Sequence, residues 1–526
     1  MRSIRQGVTF IVSMGLFLLL AAGIVYAGGQ GERDPLPRGS QRADQVTVQL
    51  DFPMGPLLPV YRRLAKEYMD LNPGVTVSVS DKDVAFYNDW LSVQMIGDTS
   101  TNIVNADMAR QYWGANKFVD LSEYLNRPNP YAEGRRWHDL LETVAYPPNG
   151  PRGEVFTLNH ELVQVVFFYN KEIFAEVGVA PPATWDELVE ISARIQDAGY
   201  IPFSIPGQAE YFWGQFVGWL IQVYADQYYR DLVPEAVAQP GDFNFDPHRD
   251  GIWTFDPTDP FTDLPSRVTM SRLRIVKMIM EGRVGPDSPR WREMYANLAK
   301  MIPRYVPEDF FSLGIGRAGD YFVQGRAAMF LHVRTAQISM ENAYFKDNPE
   351  HAFEIGTFLP PPMTGEHVGA DYARTVEAPA GGFGIVNKTR AENDAAADFL
   401  MFFLSPRGFG VYYDQIEASR LSPGGIPLVR GVTVPEQFRP VFEGTRPVGQ
   451  AGMNLLQEAL GRGLFQDGPS IRTFQDSAQR FFLGDISLDE FSRIMQRATI
   501  EAVPRWLESE GMRPDAYLDP SRDPFE

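Results

Sequence analysis

Aromatic rings stand beside charged or hydrogen-bonding groups in several short stretches of this chain. Asp51 and Phe52 end an alternating run, Arg110, Tyr112 and Trp113 fall within DMARQYW, and Glu161 follows Asn159 and His160. Glu210, Tyr211 and Trp213 share QAEYFW, His332 and Arg334 share HVRT, and Phe383 follows a glycine pair. Flat rings pack on apolar C–H faces, carboxylates accept from hydroxyls, and arginine donates as a rigid fork. Together they suit a polyhydroxylated ring such as a sugar, whose buried hydroxyls must be paired. Arg334 can also pair an acid group on the ligand, as in a uronic acid. Each residue has a plainer reading beside this one. A single ring can be core, Asp51 a turn or cap, Arg334 a solvated surface group, and Glu210–Trp213 simple helix packing.

Signals for covalent or metal chemistry are weak. The chain has no cysteine, which excludes disulfides, thiol nucleophiles and thiolate metal sites. Its six histidines are scattered, and His160 has no base placed with it, so a packed or hydrogen-bonded role is expected. Gly314, Gly316 and Gly319 match GxGxxG without the strand–helix unit that gives this motif its meaning. Asp242, Asn244, Asp246 and Asp250 have part of a calcium-loop spacing. Pro247 stands where the sharp turn needs glycine, and Trp253 where the bidentate acid belongs. No cofactor or metal is therefore expected. A carboxylate pair able to hydrolyse a glycoside stays open, because acids are abundant and their pairing in space is not visible in sequence.

The elements that position these stretches follow from pattern. Of 526 residues, 44% are hydrophobic and 22% charged, enough for more than one sizeable core. The formal charge is −19, and losing Arg2 and Arg5 with a leader makes it more negative, which argues against nucleic acid or anionic lipid as partner. Arg2 and Arg5 precede an uncharged apolar run, Val8–Ala27, with small residues at Val25 and Ala27. A signal peptide cleaved after Ala27 is expected; a retained anchor is the competing reading. Gly28–Gln45 reads as a flexible linker. Without cysteine, lipid attachment through an N-terminal cysteine is excluded.

Gln45–Asp51 alternates as a strand, Leu57–Met69 has helical spacing closed by Asn72-Pro73-Gly74, and Val75–Val79 is a second strand. That strand–helix–strand order implies a parallel α/β sheet. Thr184–Ala198 reads as a helix with a capping box from Thr184 to Glu187. Trp213–Tyr224, Met270–Met280 and Trp291–Ile302 also read as helices.

The stretch Gly153–Ala193 runs from a β-rich segment through Tyr169-Asn170-Lys171 to Pro181-Pro182 and Thr184-Trp185-Asp186-Glu187-Leu188. It resembles the family 1 extracellular solute-binding proteins, the maltose-binding-protein-like sugar receptors of ABC importers, which carry a pattern like LYYNKDLFEKAGLDPPKTWDEL. Tyr321–His332, Gly381–Asn387 and Ala395–Pro406 also resemble family segments, in order. Residues from about 226 to 320 are the least similar and read as an insertion.

The resemblance implies a periplasmic binding protein-like α/β fold, two α/β lobes joined by a hinge with an interlobe cleft. Residues 46–155 and 381–428 are expected in the N-terminal lobe, and 156–380 and 429–526 in the C-terminal lobe. It implies binding without catalysis, a carbohydrate ligand (an oligosaccharide, neutral or acidic), permease subunits as membrane partners, and an exported, monomeric chain. Glu161 stands where the family has Asp, Thr335 where a stacking Trp is common, and Phe383 where the family has Trp. Two alternatives remain: an extracellular carbohydrate-active enzyme, and a ligand-sensing receptor subunit of the same fold.

Overall fold

The computed structural model describes residues 46–83, 86–148, 150, 153–451, 460–463 and 468–526. The expected leader, 1–27, and linker, 28–45, lie outside the described residues. The strands, in chain order, are β1 (Val46–Phe52), β2 (Val75–Asp81), β3 (Ile103–Asn105), β4 (Glu161–Asn170) and β5 (Ile201–Ser204). Then come β6 (Ala327–Val333), β7 (Ile355–Phe358), β8 (Glu377–Ala380), β9 (Phe383–Ile385) and β10 (Ile426–Pro427). They form two sheets, one ordered β2–β1–β3–β9, the other β10–β4–β6–β5 with β7 and β8 also paired to β4.

β1 and β2 are parallel, so a crossover must join them. The helix Leu58–Leu71 is that crossover, burying Val60, Tyr61, Leu64, Ala65 and Tyr68 on the sheet. The helices Arg390–Phe403 and Pro406–Ala418 complete this first core, with Phe399, Phe403 and Tyr412 inside it. In the second lobe β4 is buried on both faces. Val163, Val165 and Phe167 face the main second core, and Val166 and Phe168 a smaller cluster with Phe322 and Phe330. A strand covered on both sides needs such a continuous apolar run.

Helix signals in the sequence hold with two differences. Thr184 caps Trp185–Asp197 by accepting from the Glu187 N–H at 3.2 Å, but the Glu187 carboxylate accepts from Ala183 N at 2.7 Å, one residue before the expected partner. The reciprocal box lies at Thr389 and Glu392. Thr184→Ala is expected to cost about 1 kcal/mol in chemical denaturation, since that N–H loses its acceptor. The apolar helix expected from Trp213 begins only at Val217 and runs to Tyr229, because Phe216 has φ +49° and cannot be helical.

The chain passes between lobes at three adjacent places. Leu158 and Phe383 exchange backbone hydrogen bonds at 3.0 and 2.9 Å, and His160 N donates to Ala380 O at 2.9 Å. Gly381 and Gly382 carry β8 into β9 with φ of +137° and +68°. A Cβ at Gly382 would meet the carboxylate of Asp107 at 2.7 Å, so the passage requires glycine. The third passage lies later than the expected break at 428/429. Val429, Phe438 and Val441 remain in the first core, Phe438 packing on Tyr413 at 5.8 Å, and the chain rejoins the second lobe where Ala451 N donates to Thr375 O. The amphipathic segment around Phe438 had an apolar face to bury, and the first lobe was its nearest core.

The expected insertion is part of the second core. Its helices Arg272–Met280 and Pro289–Met301 bury Leu273, Ile275, Trp291 and Tyr295. The Asp-rich loop is tied down by its own acids: Asp242 pairs with Arg274, and Asp250 pairs with Arg249 and accepts from Thr269 N. Among the described residues no acidic or histidine group could hold a metal, and no helix is long and apolar enough to cross a membrane.

Candidate ligand site at the lobe junction

A cavity opens where the lobes meet the passage segments. Leu57 reaches it from the first lobe; Phe216, Trp219 and His332 line it from the second; Ser422 and Gly424 close it from the returning chain. Two hydrogen bonds fix that last wall: Thr335 Oγ1 donates to Gly424 O at 3.0 Å, and Ser339 Oγ to Ser422 Oγ at 2.9 Å. The walls lie close together and leave room for little more than water, so a ring-sized ligand enters only if the lobes part.

The aromatic wall is set by local backbone. Gly218 packs so tightly that a Cβ there would lie 1.9 Å from Trp213 O. Phe216, at φ +49° and ψ −98°, holds a conformation that costs a non-glycine residue roughly 1–3 kcal/mol. Its ring lies 4.7 Å from Trp219 and 5.5 Å from the His332 imidazole, the latter nearly edge-on. Tyr211 packs edge-on behind Phe216 at 5.3 Å.

His332 is only 5% exposed. Its Nδ1 accepts from the Val333 N–H at 2.8 Å. Burial pushes its pKa down to about 4, so the ring is neutral at neutral pH. Nε2 has no partner among the described residues.

Of the other expected contacts, several are engaged elsewhere. Phe52 and Phe383 are core residues stacked on each other at 4.7 Å, which closes the faces expected for a ligand. Trp213 is 2% exposed, packed under the Arg462 guanidinium at 4.2 Å. Trp113 is buried on Phe156, its indole N–H held by Ala106 O at 3.0 Å, with Tyr112 packed beside it. Arg110 has its backbone in the short helical run Ala106–Ala115, and its side chain lies outside the described residues. Glu210 is exposed. Asp51, at the carboxyl end of β1, lies 3.5 Å from Lys82 Nζ.

Arg334 spends two of its N–H groups inside the protein. Its Nε donates to Gln164 Oε1 at 2.8 Å and its Nη1 to Thr357 Oγ1 at 3.1 Å. Gln164 in turn donates to Glu377 at 2.6 Å, and Glu377 accepts from the N–H groups of Val448 and Gly449. This chain of bonds braces two passage segments against β4.

Glu161 is likewise turned to the junction. It is fully buried and accepts from Gly424 N at 2.9 Å. Burial raises its carboxyl pKa to about 8, against the lowering effect of the Tyr412 hydroxyl and the Gly424 and Gly425 N–H groups. His160, enclosed by Phe383 and Phe403 at 5.4 Å each, donates through Nδ1 to Ala380 O and stays neutral, with a pKa pushed down to about 4 by burial.

The structure thus brings His332 to the cavity with Tyr211 one ring behind it. Phe216, Trp219 and Leu57 were missed, because apolar side chains in apolar runs read as core, and all three are indeed buried in the cores. The available signal was Gly214 and Gly218 around Phe216, glycines in a segment otherwise suited to a helix.

Comparison with known proteins agrees with this architecture. The chain matches the family of bacterial extracellular solute-binding proteins over residues 55–408. Among solved structures it is similar to a family 1 extracellular solute-binding protein from Bifidobacterium longum subsp. infantis, at 16% identity and a TM-score of 0.57, covering 87% of this chain and 100% of that one. It is similar to a chitin oligosaccharide binding protein at 15% identity and a TM-score of 0.60, covering 88% and 99%. It is also similar to the maltose/maltodextrin-binding domain MalE from Bdellovibrio bacteriovorus bound to maltotriose, at 12% identity and a TM-score of 0.52, covering 87% and 99%. No curated protein sequence matches it. At these identities the structural likeness shows the fold, and the match across most of the chain shows the family: this protein belongs to the bacterial extracellular solute-binding proteins.

Proposed function

We propose that this protein is the extracytoplasmic binding subunit of an ABC importer. It takes a carbohydrate between its lobes and presents it to a membrane permease. The observation that carries the reading is the aromatic wall of Phe216 and Trp219 at the lobe junction, beside three chain passages that can act as a hinge. Rings in that position offer flat apolar faces to a pyranose. Structurally similar proteins bound to raffinose, stachyose and maltotriose support the ligand class. The chain works as an exported monomer, and its role is binding, without turnover.

The test is the melting temperature of residues 28–526 with neutral oligosaccharides, uronic-acid oligomers, polyols, amino acids and peptides, each at millimolar concentration. A ligand at 100 times its Kd adds about 2.7 kcal/mol, an easily read shift. A shift with saccharides and intact sugar recovered afterwards supports the proposal. Recovery of cleaved sugar would instead establish the enzyme reading, and shifts confined to amino acids or peptides would reject a carbohydrate. Trp219→Leu, which keeps apolar bulk and removes the flat face, is expected to weaken sugar binding about tenfold by calorimetry.

A further inference from the structure

The polar groups of the cavity, on Gln215, His332, Thr335 and Ser422, are all uncharged. None of its lining residues is Lys, Arg, Asp or Glu. The nearest cationic candidate in sequence, Arg334, is not among the lining residues, and its Nε and Nη1 are turned to Gln164 and Thr357. The remaining strong group on the aromatic wall is His332, and its hydrogen bonding is decided by its own backbone. The Val333 N–H points at Nδ1, so Nδ1 must be the acceptor nitrogen. A neutral imidazole then carries its proton on Nε2. That N–H is buried on a ring packed against Phe216 and Trp219, and it finds no acceptor among the described residues. A buried donor left without a partner is costly, and in native structures such a group calls for an explanation.

We propose that His332 is the specificity-determining donor of this cavity, and that the ligand offers its Nε2–H an uncharged oxygen, a hydroxyl or ring ether, in preference to a carboxylate. The inference rests on the carbohydrate reading above and selects the neutral class within it. A carboxylate moved from water into this cavity would meet only neutral donors, from His332, Gln215 and hydroxyls such as Ser422, and no cation among the described lining residues, which does not replace its hydration. A sugar hydroxyl loses much less on entry and gains a directed hydrogen bond. The strained backbone at Phe216 fits the same role, since it holds the ring that flanks the donor.

The experiment pairs neutral oligosaccharides with uronic-acid oligomers of equal length, using the mature protein and its His332→Phe and His332→Gln variants. Titration calorimetry is expected to show the neutral series binding at least tenfold more tightly than the acidic one. His332→Phe, which keeps a ring without a donor, should lose about tenfold, and His332→Gln, which keeps an N–H, should recover part of it. Circular dichroism melts of both variants separate loss of contact from loss of fold. Nitrogen-15 spectra of the imidazole, recorded without ligand, should show the proton on Nε2. Tighter binding of the acidic series, unchanged affinity in a folded His332→Phe, or a proton on Nδ1 would each overturn the proposal. If no saccharide of either series binds, the carbohydrate reading fails and this neutral-sugar assignment fails with it. A preference for the acidic series, by contrast, overturns His332 alone.

Discussion

Arg374→Ala is expected to destabilise the second lobe by about 3–5 kcal/mol, the loss typical when one member of a buried ionic group is removed. Arg374 is about 2% exposed and lies between two buried carboxylates. Its Nε donates to Asp226 at 2.7 Å, its Nη1 and Nη2 to Asp263 at 2.8 and 3.0 Å, and Nη1 also to Pro260 O at 2.9 Å. Arg230 joins the group at 3.0 Å from Asp263, and its Nε donates to the Tyr372 hydroxyl. Two arginines and two aspartates thus balance in charge within the interior. Burial works against ionisation of Asp263, but the two guanidinium groups outweigh it and hold the carboxyl below the usual range. Truncating Arg374 leaves both aspartates facing one arginine in a site water does not reach. Lysine at 374 is expected to recover only part of the loss, because a point charge cannot bond both carboxylates in a fork. The measurement is urea denaturation, with limited proteolysis of the Asp242–Asp263 loop alongside it. That loop is held to the helix Val217–Tyr229 by this cluster, so it should become cleavable before the rest unfolds. A midpoint equal to wild type in Arg374→Ala would show that the four charges contribute nothing net.

The same cluster shows which parts of this molecule the sequence makes legible. Strand–helix–strand order at Val46–Asp81 can be read because each element states its own period, and the Thr184 helix because its cap and apolar stripe are local. Arg230 and Arg374 cannot be read that way. Each is an ordinary arginine until a loop more than a hundred residues from Arg374 supplies Asp263. The candidate site divides along the same line. His332 was visible as a donor at the end of a buried strand, whereas its tautomer depends on the geometry of one backbone N–H. Phe52 and Phe383 carried the right residue type on the right loops, but antiparallel pairing of β3 with β9 brings their rings together and closes them. Phe216 and Trp219 were hidden for the opposite reason. Both are buried members of the second core that also line the cavity, beside the break in helix geometry at Phe216.

Glu161 removes stability from the protein as pH rises from about 4.5 to about 8. In the unfolded chain its carboxyl titrates near its ordinary value of 4.5, and in the fold burial pushes it up to about 8. Below about pH 4.5 both states hold the proton, so the contribution is fully present. Between the two values the unfolded chain has released its proton and the folded chain has not, so each pH unit removes up to about 1.4 kcal/mol until the folded carboxyl also ionises. Glu377, raised in the same direction by burial, adds to this trend. The buried histidines oppose it at lower pH. His160 and His332 have folded values near 4 against 6.5 in the unfolded chain, so their contribution is present above 6.5 and is lost as pH falls toward 4. The groups together place the stability maximum near pH 6 to 7, with a decline on the alkaline side assigned to Glu161 and Glu377. Glu161→Gln separates the two carboxyls. Glutamine keeps an oxygen for the Gly424 N–H and has no proton to lose, so the difference between variant and wild type should be small at pH 5 and grow to about 2 kcal/mol or more by pH 8. Urea denaturation at half-unit pH steps reads this directly. A difference that stays constant across the range would mean that Glu161 is ionised in the fold. The junction would then be held by a buried carboxylate accepting N–H groups from the returning chain, and the alkaline decline would belong to Glu377 alone.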